Sequence, residues 1–145
     1  MSNFTIKRYT SYSSIILSLA GLLLAGMGLY FIFIRPPLLP EDLRYIAPTS
    51  QDIKANLPGL AKWLQKVFWV MGGYIFITGL LTIFLSFTSF HKHLPGAFIV
   101  VSLSGISSIG LMTVVNFIID SDFKWLLFSF ASLWAIALIL NRLCK

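Results

Sequence analysis

Four long stretches of the chain carry no Asp, Glu, Lys or Arg, and this feature constrains the fold more than any other. The stretches are residues 13–34, 67–90, 95–119 and 125–140. A transmembrane helix needs about 20 mostly apolar residues, because it must cross about 30 Å of hydrocarbon at about 1.5 Å per residue. The sequence therefore predicts four transmembrane helices with these bounds.

The composition supports the same fold class. Hydrophobic residues make up 57% of the 145 residues and charged residues only 11%, whereas a soluble domain is about a quarter charged. So few charges cannot cover a water-facing surface, which excludes a disordered chain, a nucleic-acid-binding domain and a typical soluble enzyme. We predict an all-α integral membrane protein, an antiparallel four-transmembrane-helix bundle formed by a single domain of residues 1–145.

The excess of positive charge fits a membrane location. The chain has 11 Lys and Arg against 5 Asp and Glu, and its formal net charge is +6. The positive-inside rule and attraction to anionic headgroups explain this excess without a nucleic-acid partner. The expected partners are the lipid bilayer and either a second copy of the chain or another membrane protein.

The single cysteine, Cys144, excludes an internal disulfide and a thiol-rich metal site.

Four transmembrane helices would put both termini on the same side of the membrane. Five basic residues fall on the N-terminal side: Lys7, Arg8, Lys92, Arg142 and Lys145. The other six fall on the opposite side with all five acids: Arg35, Arg44, Lys54, Lys62, Lys66 and Lys124. The basic pair before the first helix usually dominates orientation. We expect cytoplasmic termini, an uncleaved first helix and, from the Phe-rich and Cys-poor composition, a bacterial inner membrane.

The first connection, residues 35–66, is long and predicts short helices. Residues 40–44 read as a helical turn, with Pro40 in its first position and two acids next. A sequence that resembles a capping box predicts a second short helix at 49–56. Residues 58–66 predict an interfacial helix that runs into the second transmembrane helix, because their apolar residues recur at helical spacing.

Small residues mark the surfaces on which helices in lipid approach closely. Each predicted helix has such a face. The residues that we expect to pack against other helices are Gly21, Ala25, Gly28, Gly72, Gly79, Ser104 and Ser108. These faces fit the bundle itself and equally fit a homodimer or a partner helix, and the sequence does not separate these cases.

A polar group on the side opposite the termini is the candidate ligand site. Its residues are Glu41, Asp42, Arg44, Asn116 and Asp120. Convergent carboxylates would suit a divalent cation or acid–base chemistry, and an Arg can hold a phosphate or carboxylate. The alternative is that these residues solvate the connections and pair with basic neighbours, including a Glu41–Arg44 pair that docks the loop.

No catalytic motif or metal site is indicated. The chain has no G-x-S-x-G, H-E-x-x-H, Walker motif or pair of cysteines. His91 and His93 have no acidic or thiol neighbour on their side, so a basic turn is a better interpretation than a metal site. The sequence identifies no cofactor.

We expect a non-enzymatic interaction or accessory module, or a binder of a lipid or apolar ligand. The alternative is a small membrane enzyme or transport component with a polar site at the outer mouth.

Overall fold

The computed structural model describes residues 3–46 and 58–143, with side chains from Tyr12 onward. Every regular element within these residues is helical. The α-helices are α1 (Asn3–Phe33), α2 (Pro40–Ile46), α3 (Leu60–Leu85), α4 (Ala97–Gly105), α5 (Leu111–Ile118) and α6 (Lys124–Leu143). A π-helical turn, Ser86–Phe90, continues α3, and a second, Ile106–Gly110, joins α4 to α5.

In the described part of the chain, four helical segments are long and apolar enough to cross a membrane. They are the first span Tyr12–Phe33, the second span Leu60–Phe90, the third span Ala97–Ile118 and the fourth span Lys124–Leu143. The prediction of four apolar helices of membrane-spanning length is thus confirmed. The second span begins at Leu60, so most of the expected interfacial segment is continuous with it. The expected helix at 49–56, Lys54, Cys144 and Lys145 lie outside the described residues.

Glycines bring α1 and α3 into backbone contact. A Cβ atom added to Gly79 would lie 2.6 Å from the carbonyl oxygen of Gly21, and one added to Gly72 would lie 2.8 Å from that of Gly28. A Cβ added to Gly28 would collide with the backbone of Phe76. Because Gly21 meets Gly79 while Gly28 meets Gly72, the two helices run antiparallel. Close approach of this kind is how helices associate without a hydrophobic driving force.

The third and fourth spans associate through a tryptophan. Trp134 of α6 is 3% exposed, and a Cβ on Gly105 would collide with its indole ring. The indole Nε1–H donates a hydrogen bond to the carbonyl oxygen of Val101, with an N–O distance of 3.1 Å. The buried core joins Trp134 and Val101 to Leu17 and Leu24 of α1. α1 therefore packs on α3 with one side and on α6 with another.

The second and third spans meet at only one of their ends. α3 and the π turn that follows it contact α4 close to the chain reversal at 91–96, whereas α5 makes no comparable contact with α3. The two spans therefore diverge from the reversal towards the opposite end of the molecule. A cleft remains between them, and α1 and α6 lie at its base.

The third span ends in a Schellman motif. The Asp120 N–H donates to the Phe117 carbonyl at 3.3 Å, and the Ser121 N–H donates to the Asn116 carbonyl at 2.9 Å. This pair of bonds requires a left-handed residue, and Asp120 has φ of 52°. His93, in the reversal after the second span, has φ of 50° and occupies the left-handed position of the same motif. At both of these helix ends the left-handed position is thus taken by a residue other than glycine, whereas Gly96, at the end of the first reversal, is a left-handed glycine with φ of 83°.

Candidate functional site

The cleft between the second and third spans is a large concave feature of the described residues. Its volume is about 1320 Å³. Its walls are apolar over most of their extent, with Leu22, Val70, Leu111 and Leu126 contributed by the four spans in turn. At one end it is closed by the start of the first connection and by α2. The arrangement is a long apolar cleft with a polar end.

The few polar side chains on the cleft walls make hydrogen bonds within their own helices. The hydroxyl of Thr78 donates to the carbonyl of Tyr74 at 2.7 Å, and the Asn116 amide donates to the carbonyl of Met112 at 2.8 Å. The hydroxyl of Ser108 donates to the Ser104 carbonyl in the same way. Such back-bonding lets hydroxyls line an apolar surface at low cost. The walls are therefore better suited to holding apolar groups than to transferring protons.

A buried arginine organises the polar end. Arg35, directly after α1, is 9% exposed and lies between two aromatic rings. Its Cζ is 3.7 Å from the ring centroid of Phe68 and 5.2 Å from that of Phe31. Its guanidinium also donates to a carboxylate oxygen of Asp42 at 3.0 Å and to the Pro36 carbonyl at 3.2 Å. Cation–π and ionic contacts together fix the start of the connection against α1 and α3.

Asp42 links this arginine to the start of α2. The oxygen that accepts from Arg35 also accepts the backbone N–H of Leu39 at 2.9 Å. Leu39 precedes Pro40, the first residue of α2, so Asp42 caps the helix from its third position, as the acidic half of a capping box does. The carboxylate also lies near the positive end of the helix dipole. Asp42 therefore stabilises α2 and neutralises Arg35 at once.

Glu41 connects α2 to the turn between the third and fourth spans. It is 5% exposed, and its Oε1 accepts a hydrogen bond from the hydroxyl of Ser121 at 2.9 Å. Ser121 is fully buried, and its oxygen accepts the backbone N–H of Phe123 at 3.1 Å. Glu41 also contributes to the cleft lining. A carboxylate is thus held at the polar end by two separate parts of the chain.

Two further ion pairs lie on the exposed surface beside this end. Arg44 donates to Asp122 at 2.8 Å, and both side chains are more than 60% exposed. The hydrogen bond and charge of Asp122 raise the pKa of Arg44 above its ordinary value. Lys124 pairs with Asp120, and the hydrogen bond from Lys124 lowers the pKa of that carboxyl. Because at least one partner of each pair is strongly exposed, each pair contributes little to stability.

The residues that the sequence predicts as a ligand site therefore separate into two groups. Glu41, Asp42 and Asn116 line the cleft, whereas Arg44 and Asp120 belong to the exposed ion pairs. Within the described residues, no three His, Cys, Asp or Glu side chains come close enough to hold a metal ion. The structure thus places an amphipathic cleft where the sequence alone indicates a loose group of polar residues.

The small residues also divide between two settings. Gly21, Ala25, Gly28, Gly72 and Gly79 lie in the contact between α1 and α3. The other two, Ser104 and Ser108, line the cleft, and their neighbour Gly105 makes the closest approach to the fourth span.

Sequence reasoning missed two cationic residues of the cleft. Arg35 and Lys66 both line its polar end, and Lys66 Nζ lies 3.7 Å from the ring centroid of Trp69. A signal was available for each of them. Phe31 precedes Arg35 by four residues and Trp69 follows Lys66 by three, which are the spacings at which side chains on a helix meet.

A comparison of the chain with protein-family models, with curated proteins and with solved structures found no match in any of the three.

Proposed function

We propose that the chain inserts into a bacterial inner membrane as an antiparallel four-helix bundle with cytoplasmic termini. We further propose that it binds one membrane lipid in the cleft as a non-enzymatic binding protein. The single observation that carries this function is the cleft itself, apolar along the spans and charged at one end.

The outer surface of the spans supports insertion. Large apolar side chains outside the cleft lining are strongly exposed, for example Ile15 at 53%, Phe84 at 63%, Ile106 at 69% and Ile139 at 58%. Contiguous apolar surface of this kind is unusual on a soluble monomer. A bilayer covers it, and the gap between α3 and the third span then faces the hydrocarbon. A lipid in such an arrangement enters sideways and never crosses water.

The dimensions of the cleft favour a lipid over a small metabolite. Ordinary small-molecule sites have volumes of about 300–1000 Å³, and this cleft is larger. Its lining on α1 extends from Leu22 to Phe31, which is about 14 Å along the helix axis. One leaflet contributes about half of the 30 Å hydrocarbon thickness. The apolar part therefore matches acyl chains of one leaflet, and the polar end then lies at the depth of a headgroup.

Two glycines provide a matched pair of variants to test lipid binding. Gly26 lines the cleft and Gly73 does not, and a Cβ at either position would meet nothing within 4 Å. The Gly26→Phe variant should narrow the cleft without disturbing a helix contact, whereas Gly73→Phe adds the same ring elsewhere. The measurement is native mass spectrometry of the full chain released from lipid nanodiscs.

We expect the wild-type chain and Gly73→Phe to retain one lipid per chain and Gly26→Phe to lose it. Lipid retention by Gly26→Phe at the wild-type level would overturn the proposal. A wild-type chain released bare, or as a dimer without lipid, would do so as well. The dimer would identify a second copy as the occupant of the cleft.

A further inference from the structure

We infer that the bound lipid has a headgroup with a phosphate and a primary ammonium, as in ethanolamine phospholipids. The ammonium would lie on Glu41 and the phosphate on Lys66. This inference rests on the proposed lipid binding and adds the chemical class of the ligand. It comes from the two charged groups that line the cleft without an ion-pair partner among the described residues.

Four charged residues line the cleft, and two of them neutralise each other. Arg35 and Asp42 form an ion pair at 3.0 Å. The other ion pairs of the described residues, Arg44–Asp122 and Lys124–Asp120, lie outside the cleft lining. Within the described part of the chain, Glu41 and Lys66 therefore line the cleft with no opposite charge inside ion-pair distance. One negative and one positive group remain available to a ligand.

The surroundings of Glu41 favour a bound cation that carries N–H groups. A buried carboxylate is costly unless an opposite charge and hydrogen bonds compensate it. The hydroxyl of Ser121 supplies one hydrogen bond but no charge. A primary ammonium supplies both a positive charge and three donors, and the carboxylate accepts but does not donate. An ammonium at the end of the cleft would thus complete the surroundings of Glu41.

Lys66 suits the phosphate of the same headgroup. Its side chain is exposed, lines the mouth of the cleft and lies over Trp69, so its ammonium is held near the opening. A lysine ammonium acts on a phosphate as a point charge and needs no fixed orientation. A zwitterionic headgroup therefore matches the sign of both remaining groups.

The same surroundings select against two other common headgroups. Choline has a quaternary ammonium without N–H groups, so it cannot donate a hydrogen bond to Glu41. A glycerol-type headgroup has a phosphate and no cation, so it would leave Glu41 without an ion-pair partner. Of these three headgroups, ethanolamine is the one that suits both Glu41 and Lys66.

The test uses nanodiscs with equal amounts of phosphatidylethanolamine, phosphatidylcholine and phosphatidylglycerol that share the same acyl chains. Native mass spectrometry then identifies the lipid retained by each variant. The wild-type chain should retain phosphatidylethanolamine above its share of the bilayer. In the Glu41→Gln variant, the preference for phosphatidylethanolamine over the other two lipids should be about tenfold weaker. This change corresponds to the loss of one charge-assisted hydrogen bond. The Lys66→Gln variant should retain less of all three lipids, because each contains the phosphate.

The exposed Asp122→Asn variant is the control, since Asp122 lies outside the cleft and is 64% exposed. It should keep the wild-type preference. If Glu41→Gln does not fold, Lys66→Gln still tests the site, because Lys66 is exposed. Retained lipid with the composition of the bilayer would overturn the headgroup inference and leave lipid binding intact. No retained lipid in the wild-type chain would overturn both. An equal loss of preference in Asp122→Asn would overturn the assignment to Glu41.

Discussion

The guanidinium of Arg35 stacks on the ring of Phe68 at 3.7 Å, and this contact joins the end of the first span to the beginning of the second. The same guanidinium pairs with Asp42 of α2. One side chain thus holds three separate segments at the polar end of the cleft. Because Arg35 is 9% exposed, its charge is compensated almost entirely by protein groups.

Replacing Arg35 with leucine should destabilise the protein by about 1–3 kcal/mol, since it removes the ring contacts and leaves Asp42 without its partner. The lower end of the range applies if water reaches Asp42, which is 17% exposed. The Arg35→Leu/Asp42→Asn double variant should recover part of the loss, because no unpaired charge remains and the amide oxygen still accepts from the Leu39 N–H. Thermal unfolding in detergent measures both. Equal stability of Arg35→Leu and the wild type would contradict this role.

Alanine substitutions at two glycines of α1 should have opposite effects. Gly28→Ala should cost more than about 2 kcal/mol, because its Cβ would collide with the backbone of Phe76 and force the helices apart. Gly26→Ala should stabilise the chain by about 0.5–1 kcal/mol, since its Cβ meets open space and alanine favours a helix. Thermal unfolding of the two variants in the same detergent gives the comparison. Similar effects at both positions would show that the glycine contact is not tight.

Trp134→Phe should destabilise the contact between the third and fourth spans by about 1–3 kcal/mol. The substitution leaves the Val101 carbonyl without the indole donor and removes part of a buried ring. Trp125→Phe is the control, because Trp125 is 66% exposed and its replacement should change stability little. Unfolding followed by circular dichroism distinguishes the two variants. An equal effect of both substitutions would be evidence against the buried hydrogen bond.

The Asp120–Lys124 pair should make a small contribution to stability that depends on pH. The pKa of Asp120 is lowered by the hydrogen bond from Lys124, so the folded state favours the ionised carboxyl. The contribution is therefore fully present above the ordinary pKa of 3.8 and is lost as pH falls through the lowered folded value. The difference in melting temperature between the wild type and Asp120→Asn should stay constant from pH 5 to pH 8, a window set about one unit above that ordinary value.

Added salt should reduce this difference, because Asp120 is 82% exposed and salt screens charges that face water. A difference that grows as the solution is acidified would contradict the direction of the Asp120 pKa shift.

The apolar spans could be predicted from sequence because the cost of placing a charge in a membrane applies to each residue separately. A charged side chain within a span is expensive, so runs without charge reveal helices before any packing is known. The start of α2 at Pro40 is similarly local, since proline suits the first position of a helix. These elements depend on neighbours in the chain and require no knowledge of the rest of the molecule.

The cleft could not be predicted in the same way, because it depends on which helices fail to touch. Its polar end brings Glu41 to Ser121, 80 residues away, and no periodicity encodes such a distance. The left-handed conformations of His93 and Asp120 could not be predicted from the sequence either, since neither residue is the glycine that usually marks this position. Arg35 was assigned to a membrane side by its charge, and only its contacts with aromatic rings show its structural role.

Because the cleft opens sideways between two spans, it also determines the units in which its affinity for a lipid is expressed. On the proposed function, the lipid reaches the cleft from the surrounding leaflet, so its concentration in water has no bearing on occupancy. The relevant quantity is the mole fraction of that lipid among its neighbours, all of which compete for the same apolar walls. Even a weak preference for one headgroup then changes which lipids occupy the cleft, because the cleft always has a lipid beside it.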